Sequence, residues 1–289
     1  MESPDTRSVV DFARRIVESS SLDDKLTPPP TAWLDASRFA ADDVASRAHP
    51  IPTAPGRPPE LQIVPATEVR VPALEGMPDP AQRVRIVHAL ANHELQAAEL
   101  FAWALLAFPD APSAFRHGLG MILREEQLHT RWYIERLHAM GSRFGAYPVN
   151  GHFWHKTEAI QSPIDFVCAM SLTFENANLD HTREYSAAAR AAGDPSLAKL
   201  IDTIHRDEIG HVEFGWRWLR VFKEEPESMW EAYCAHLTWP LRPARARGAE
   251  FARGPRELAG LDSDFIDALE QTEPAPLFAR RPATPDRAE

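Results

Sequence analysis

The sequence predicts an all-α protein, a four-helix bundle of two antiparallel helical hairpins joined by a long crossover, with N- and C-terminal extensions. Three observations predict it. Four segments between residues 80 and 223 hold apolar residues at helical spacing over about 28 residues each, with proline only at their starts. The links between them run to about 4, 20 and 3 residues. Short links make antiparallel neighbours, and the long one suffices to run back along the bundle. Third, a Glu-x-x-His pair recurs at matching places in the second and fourth segments.

Before the bundle, a helix is expected from about Thr6 to Ser19, with an apolar face of Val9, Val10, Phe12, Ala13, Ile16 and Val17. From Pro28-Pro29-Pro30 to Pro80 the chain is rich in proline, which removes donors and fixes φ, so this stretch is expected to be extended and irregular. It is either a strap over the bundle or a loose arm. Leu61, Ile63, Val64, Val69 and Val71 favour the strap.

The first bundle segment runs from Pro80 to Ala107, with Asp79 as N-cap, Pro80 at the first helical position and Pro109 beyond its end. The second runs from Pro112 to Met140 and stops at Gly141. The third runs from Pro163 to Ala192, opened by Ser162 with Asp165 three residues on, like a capping box with a short acid. The fourth runs from Pro195 to Lys223, with Asp194 as N-cap after Gly193. A helix is expected at about Glu227 to Leu237, then an Arg/Pro stretch from Trp239 to Arg247 and a short helix at Ser263 to Gln271. The tail from Thr272 has the composition of disorder. The parts are thus 1–79, 80–223 and 224–289.

The 289 residues are 44% hydrophobic and 25% charged, an ordinary globular mixture. A formal charge of −11 repels phosphate and disfavours general binding to nucleic acid or an anionic membrane. No apolar run approaches the roughly 20 residues that span a bilayer. The start lacks the features of a secretory signal, and two cysteines make no disulfide framework, so a cytoplasmic protein is expected.

Chance spacing gives about one Glu-x-x-His in a chain with 24 Glu and 12 His, so three such pairs prove nothing by number. Phase separates them. Glu126/His129 continues a face through Leu119, Ile122 and Tyr133; Glu208/His211 continues one through Ile201, Ile204 and Val212. Glu135/His138 lies half a turn out of phase, beside Arg124 and Arg131, and reads as solvated. Glu94 lies on the apolar face of the first segment and Glu175 on that of the third. All four glutamates stand about 12 to 14 residues from their helix starts, the bundle midplane. A buried ionised carboxylate needs compensation, and a cation supplies it. One Glu from each of two helices plus Glu-x-x-His from the other two is a known di-metal template. The candidate metal ligands are therefore Glu94, Glu126, His129, Glu175, Glu208 and His211. Four carboxylates balance two divalent cations, and oxygen-rich ligation with nitrogen suits iron or manganese. Fe/Fe and Mn/Fe are not separable from ligand type.

Around that set, Asp207 and Glu125 are either acceptors for the outer N–H of a ligand His on the facing helix or rim charges. Tyr133 is either core packing or a redox-active or proton-donating phenol. Glu99 is the rival to Glu94, but five residues on it spoils the hairpin spacing. His93 reads as a non-ligand and Cys168 as a small apolar core residue. His152 and His155 in the crossover are candidates for an entry path. Arg242, Arg245 and Arg247 form a basic run, for an acidic substrate, an RNA or intrachain pairing.

The stretches Asn92-His-Glu-Leu-Gln-Ala-Ala-Glu-Leu100, Leu172-Thr-Phe-Glu-Asn-Ala-Asn-Leu-Asp-His181 and Asp207-Glu-Ile-Gly-His-Val212 resemble the ferritin-like di-iron carboxylate superfamily. The nearest likeness is an uncharacterised bacterial ferritin-like branch, a domain of unknown function. The resemblance covers residues 80–223 and implies a ferritin-like fold with the six ligands above. Glu125 stands where that superfamily often has Asp.

Four functions follow as expectations. The first is an O2-activating oxidase or hydroxylase with two Fe ions (or Mn/Fe), a small-molecule substrate and an external electron donor. The long flanks favour it, because they can wall a pocket that a bare bundle lacks. The second is ferroxidase, iron handling or peroxide scavenging. The third is a scaffold with a vestigial site, and the fourth an enzyme like the tRNA hydroxylases, against which the negative charge weighs. A homodimer through bundle faces is the analogous assembly.

Overall fold

A computed structural model of the chain describes residues 8–39, 50–238 and 240–274. Among these, every regular element is helical, and the nearest approach to a sheet is an isolated parallel bridge between Ile63 and Val149. The α-helices are α1 (Val9–Glu18), α2 (Leu22–Leu26), α3 (Pro80–Ala107), α4 (Ser113–Ala139), α5 (Pro163–Ala169), α6 (Asn176–Ala191), α7 (Pro195–Phe222), α8 (Met229–Ala235), α9 (Arg253–Leu258) and α10 (Ser263–Glu270). None is long and apolar enough to cross a membrane.

The caps anticipated from sequence set the bundle helices. Asp79 accepts from the backbone N–H groups of Ala81 and Gln82, and Asp194 from Leu197. Ser162 accepts from Asp165 N–H, while the Asp165 carboxylate reaches back to the N–H of Gln161. Helix α3 packs along α4, and α6 along α7. The two hairpins meet through α4 against α7, while α5 packs on α7 within the second hairpin. Helix α8 is shorter than the expected Glu227–Leu237, with a full capping box between Ser228 and Glu231. Helices α2 and α9 have no counterpart among the expected elements. The expected helix start at Thr6 and the expected tail beyond residue 274 lie outside the described residues.

One departure reshapes the bundle. The third segment is not a continuous α-helix: Met170–Glu175 is a π-helix between α5 and α6. A π-turn inserts an extra residue and re-aims the side chains that follow. The Thr173 hydroxyl donates to the Cys168 carbonyl, five residues back, at 2.7 Å, and meets Tyr233 Oη at 2.8 Å. Gly215 on α7 lies against this wider turn. A Cβ there would sit 2.3 Å from Ser171 Cβ, so only glycine permits the approach.

The N-terminal segment lies on the bundle. Helix α1 packs on α3, Gly56 N–H bonds to the Val17 carbonyl at 2.8 Å, and Trp103 Nε1 to the Pro52 carbonyl at 3.1 Å. At the other end, Arg256 of α9 is fully buried and pairs with Asp180 of α6 at 2.8 Å. The same carboxylate accepts from the backbone N–H groups of Gly248 and Ala252, which fastens the C-terminal segment to α6.

The apolar core is divided. One part gathers α1, the second half of α3, the first half of α4 and the second half of α7. The other gathers Val87, Leu95, Tyr133, Leu137, Ile201 and Ile204 with their neighbours. Between them, at the midplane, lies a band of buried acid and imidazole.

Candidate metal centre

Helix phase puts Glu94 on α3, Glu126 and His129 on α4, Glu175 at the end of the π-helix, and Glu208 and His211 on α7, all at the midplane and all buried. They form two overlapping groups. Glu94, Glu126, His129 and Glu208 make one, and Glu126, Glu175, Glu208 and His211 the other. In each group one ligand atom per residue lies within 4.8 Å of all the rest. Glu126 and Glu208 belong to both.

The imidazoles are oriented by the opposite hairpin. His129 Nε2 lies 3.0 Å from Asp207 Oδ2 on α7, and His211 Nε2 lies 2.9 Å from Glu125 Oε2 on α4. Each ring spends its Nε2 outward and turns Nδ1 inward. There His129 Nδ1 is 3.4 Å from Glu94 Oε2, and His211 Nδ1 is 3.1 Å from Glu126 Oε1. These approaches lack hydrogen-bond geometry. Both Nδ1 atoms, both Glu126 oxygens and Glu208 Oε2 are buried with no hydrogen-bond partner. Five orphaned donor and acceptor atoms converging on one region is costly unless a cation takes their lone pairs.

The proton equilibria show the same demand for positive charge. Burial, reinforced by Glu126, pushes Glu94 well above the usual carboxylate range, and burial with Glu208 does so for Glu175. Burial would raise Glu126 as well, but His129 and His211 beside it hold it low. Burial opposes charge on both imidazoles, yet Asp207, Glu126 and Glu94 raise His129, and Glu125, Glu126 and Glu208 raise His211. The cluster could hold metal ions.

The other sequence candidates fall around this set. Tyr133 is buried in the core and borders the cluster; burial, then Glu94 and Glu208, keep its phenol protonated far above neutrality. Glu99 is elsewhere, in a buried ion pair with Arg57 and Lys25. Glu135 and His138 are exposed. Cys168 is fully buried in the apolar core. His93 lies beside the cluster, its ring 5.5 Å from that of Phe153.

Sequence reasoning placed Asn178 on the Glu175 face but assigned it no role. Its Nδ2 donates to Glu175 Oε2 and Glu208 Oε1, both at 3.2 Å, and so fastens two of the acids together. Its position one turn after Glu175 was the available signal. A small pocket of about 40 Å³ abuts the cluster, bordered by Glu94, Glu126, Tyr133, Glu175 and Asn178. It meets an outer cleft of about 630 Å³ at His93, Phe153, Phe174, Asn178 and His181. His152, His155, Arg245 and Arg247 line the outer cleft, and Arg242 is exposed.

The outward contacts are testable. Asp207→Ala should weaken metal binding about 10- to 100-fold by releasing His129 from its orientation, while Glu135→Gln leaves it unchanged. Competition with a calibrated chelator measures both. Equal affinities in the two variants would mean that Asp207 is only a rim charge.

Residues 18–267 match the family described as "Protein of unknown function (DUF455)". A relative described as "Uncharacterized protein", from Haemophilus influenzae, is 26% identical over 147 residues, 48% of this chain and 51% of the relative. The chain thus spans about half the length of that curated relative. No solved structure matches.

Proposed function

Because this chain belongs to the family described as protein of unknown function (DUF455), whose description names no reaction, we propose a function from the centre itself. The protein is a di-metal carboxylate oxidoreductase of the ferritin-like kind. It holds two iron ions, or manganese and iron, and uses O2 to oxidise or hydroxylate a small organic substrate. The observation that carries this reading is the set of five buried, partnerless atoms shared between two overlapping ligand groups. The donor set fits: four carboxylates against two imidazole nitrogens favour Fe or Mn over soft-ligand metals.

Glu126 and Glu208, common to both groups, would be ligands to the ions. Glu94, His129, Glu175 and His211 would supply the remaining ligands. A bound redox-active pair supplies the electrons and Lewis acidity for O2 chemistry, with an external donor restoring the reduced state. The chain's own residues do the rest. Asp207 and Glu125 fix the imidazoles. Asn178 holds Glu175 against Glu208. Tyr133, protonated and beside Glu94 and Glu126, holds a proton next to the small pocket. The two halves of the apolar core exclude water above and below.

The pocket of about 40 Å³ has room for roughly one or two water-sized molecules, which suits O2 but not an organic substrate. The outer cleft of about 630 Å³ is of the size that binds metabolites, and it favours substrate oxidation over simple iron handling.

The test is anaerobic loading of the full-length chain with Fe(II), then exposure to O2. The reading expects about two Fe per chain, rapid O2 uptake and a transient visible absorbance. Less than one equivalent bound, or O2 uptake no faster than that of free Fe(II), would overturn it.

A further inference from the structure

The outer cleft has a charge opposite to that of the protein. The chain carries −11, yet among the described residues lining this cleft there is no Asp or Glu. Its polar lining is instead three arginines (Arg70, Arg245, Arg247), four imidazoles (His93, His152, His155, His181) and two amides. The remainder is apolar, chiefly Val69, Val71, Phe153, Phe174 and Ala177.

Three separate parts of the chain bring these basic side chains together. Arg70 comes from the segment before α3, the imidazoles of His152 and His155 from the crossover, and Arg245 and Arg247 from the stretch after α8. Arg247 is held by neutral partners: the carbonyls of Gly248, Glu270 and Thr272, and the ring of Phe251 at 4.9 Å. None of these cancels its charge. His152 lines this cleft. Burial first, then His93, Lys156 and Arg245, push its pKa down to about 3. Lys156 is lowered by burial and by Arg245. A concave site lined by arginines and by no carboxylate attracts a ligand of negative charge.

We infer that this cleft binds the substrate, a small organic anion with a carboxylate or phosphate head and an apolar body. The head rests among Arg70, Arg245 and His155, and the body lies over Phe153 and Phe174. The cleft shares Phe153, Phe174 and Asn178 with the small pocket beside the acids, so the far end of the ligand lies next to that pocket. The charge pattern also accounts for a basic run in an acidic protein: it is a guide for one sign of ligand, not a nucleic-acid surface. The inference rests on the reading of the cluster as a metal centre only for the reaction. Binding itself requires only the cleft.

The experiment is calorimetric titration of the full-length chain with octanoate, octyl phosphate and, as an uncharged control, octanol. Metal content is determined on the same samples. Octanoate or octyl phosphate is expected to bind at least ten-fold more tightly than octanol, and the stronger of the two identifies the head group. Arg245→Gln and Arg70→Gln should each weaken the anion about ten-fold, the loss of one charge-assisted contact, and leave octanol within about two-fold. Arg70 is exposed, so its variant keeps the test valid if the half-buried Arg245 proves needed for folding. Octanol binding as tightly as both anions, or anion binding unchanged in Arg70→Gln and in a folded Arg245→Gln, overturns the inference. Two metals per chain with no preference for the anion would sink the cleft and leave the centre. Anion preference without metal would sink the centre and leave the cleft.

Discussion

Glu126→Ala is expected to lower bound metal from about two ions per chain to below one. Glu126 is the strongest single test because it belongs to both ligand groups. Both its oxygens are buried and without a hydrogen-bond partner. Removing it strips a ligand from each end and leaves His129 Nδ1 and His211 Nδ1 facing a void. A metal that binds only the folded chain stabilises it by about 2.7 kcal/mol at a hundred times its dissociation constant. Wild type should therefore melt higher on adding Mn(II) or Fe(II), by several degrees, and the variant should not. Metal analysis after gel filtration and thermal melts with and without metal check both halves. A variant that retains about two ions would show that the cluster is not the binding site.

Glu99→Gln is expected to destabilise the fold by about 3–5 kcal/mol without altering metal content. The Glu99 carboxylate is fully buried on α3. It receives Lys25 Nζ at 3.0 Å, Arg57 Nη2 at 2.7 Å and Nε at 3.1 Å, and Trp154 Nε1 at 2.8 Å. Lys25, Arg57 and Glu99 are all nearly without solvent contact. The amide has the same shape but no charge, so it leaves two cations buried against a single dipole. For a chain of this size the loss corresponds to a fall in Tm of about 10 °C.

The acid profile gives a second readout. Burial opposes ionisation of Glu99, but Arg57 and Lys25 outweigh it and lower the pKa below its ordinary 4.5. A lowered carboxylate contributes stability in full above its unfolded value. It loses that contribution as pH falls through the folded one. Wild type should therefore lose part of its advantage over the variant below about pH 4.5. A Tm within about 2 °C of wild type at pH 7 would mean that the ion cluster is a spectator. Because Lys25 and Arg57 come from the segment before the bundle, the variant should also show faster proteolysis there.

Much of the bundle was legible because the signals are local. Asp79 with Pro80, Ser162 with Pro163 and Asp194 with Pro195 cap three helices within one turn of the chain, and a 3.6-residue period needs no partner to be read. The same period, with equal distances from the helix starts, singled out Glu94, Glu126, His129, Glu175, Glu208 and His211 and set aside Glu135 and His138. A polar residue in phase with an apolar stripe is a local anomaly with a non-local cause, so it can be found before the cause is known.

Other features had no such local mark. The π-helix at Met170–Glu175 depends on how closely Gly215 of α7 lets it approach and on Thr173 finding Tyr233. Glu99 and Glu94 are near neighbours on one helix, yet one meets two cations and the other a cluster of acids, because different segments pass over them. The Asp180–Arg256 pair spans 76 residues. The cationic cleft exists only where the segment before α3, the crossover and the stretch after α8 meet.

By itself, then, the sequence determined the four long bundle segments, where the first, third and fourth of them begin, and which side chains share a face at the midplane. Backbone hydrogen bonding, capping and periodicity act over a few residues. Only the tertiary structure decided which acid faces which base, how Glu175 is aimed, and what encloses the path to the centre. Those depend on side chains far apart in the chain meeting in a low-dielectric interior, where a single approach of a few ångströms sets whether a charge is paired, orphaned or left for a ligand.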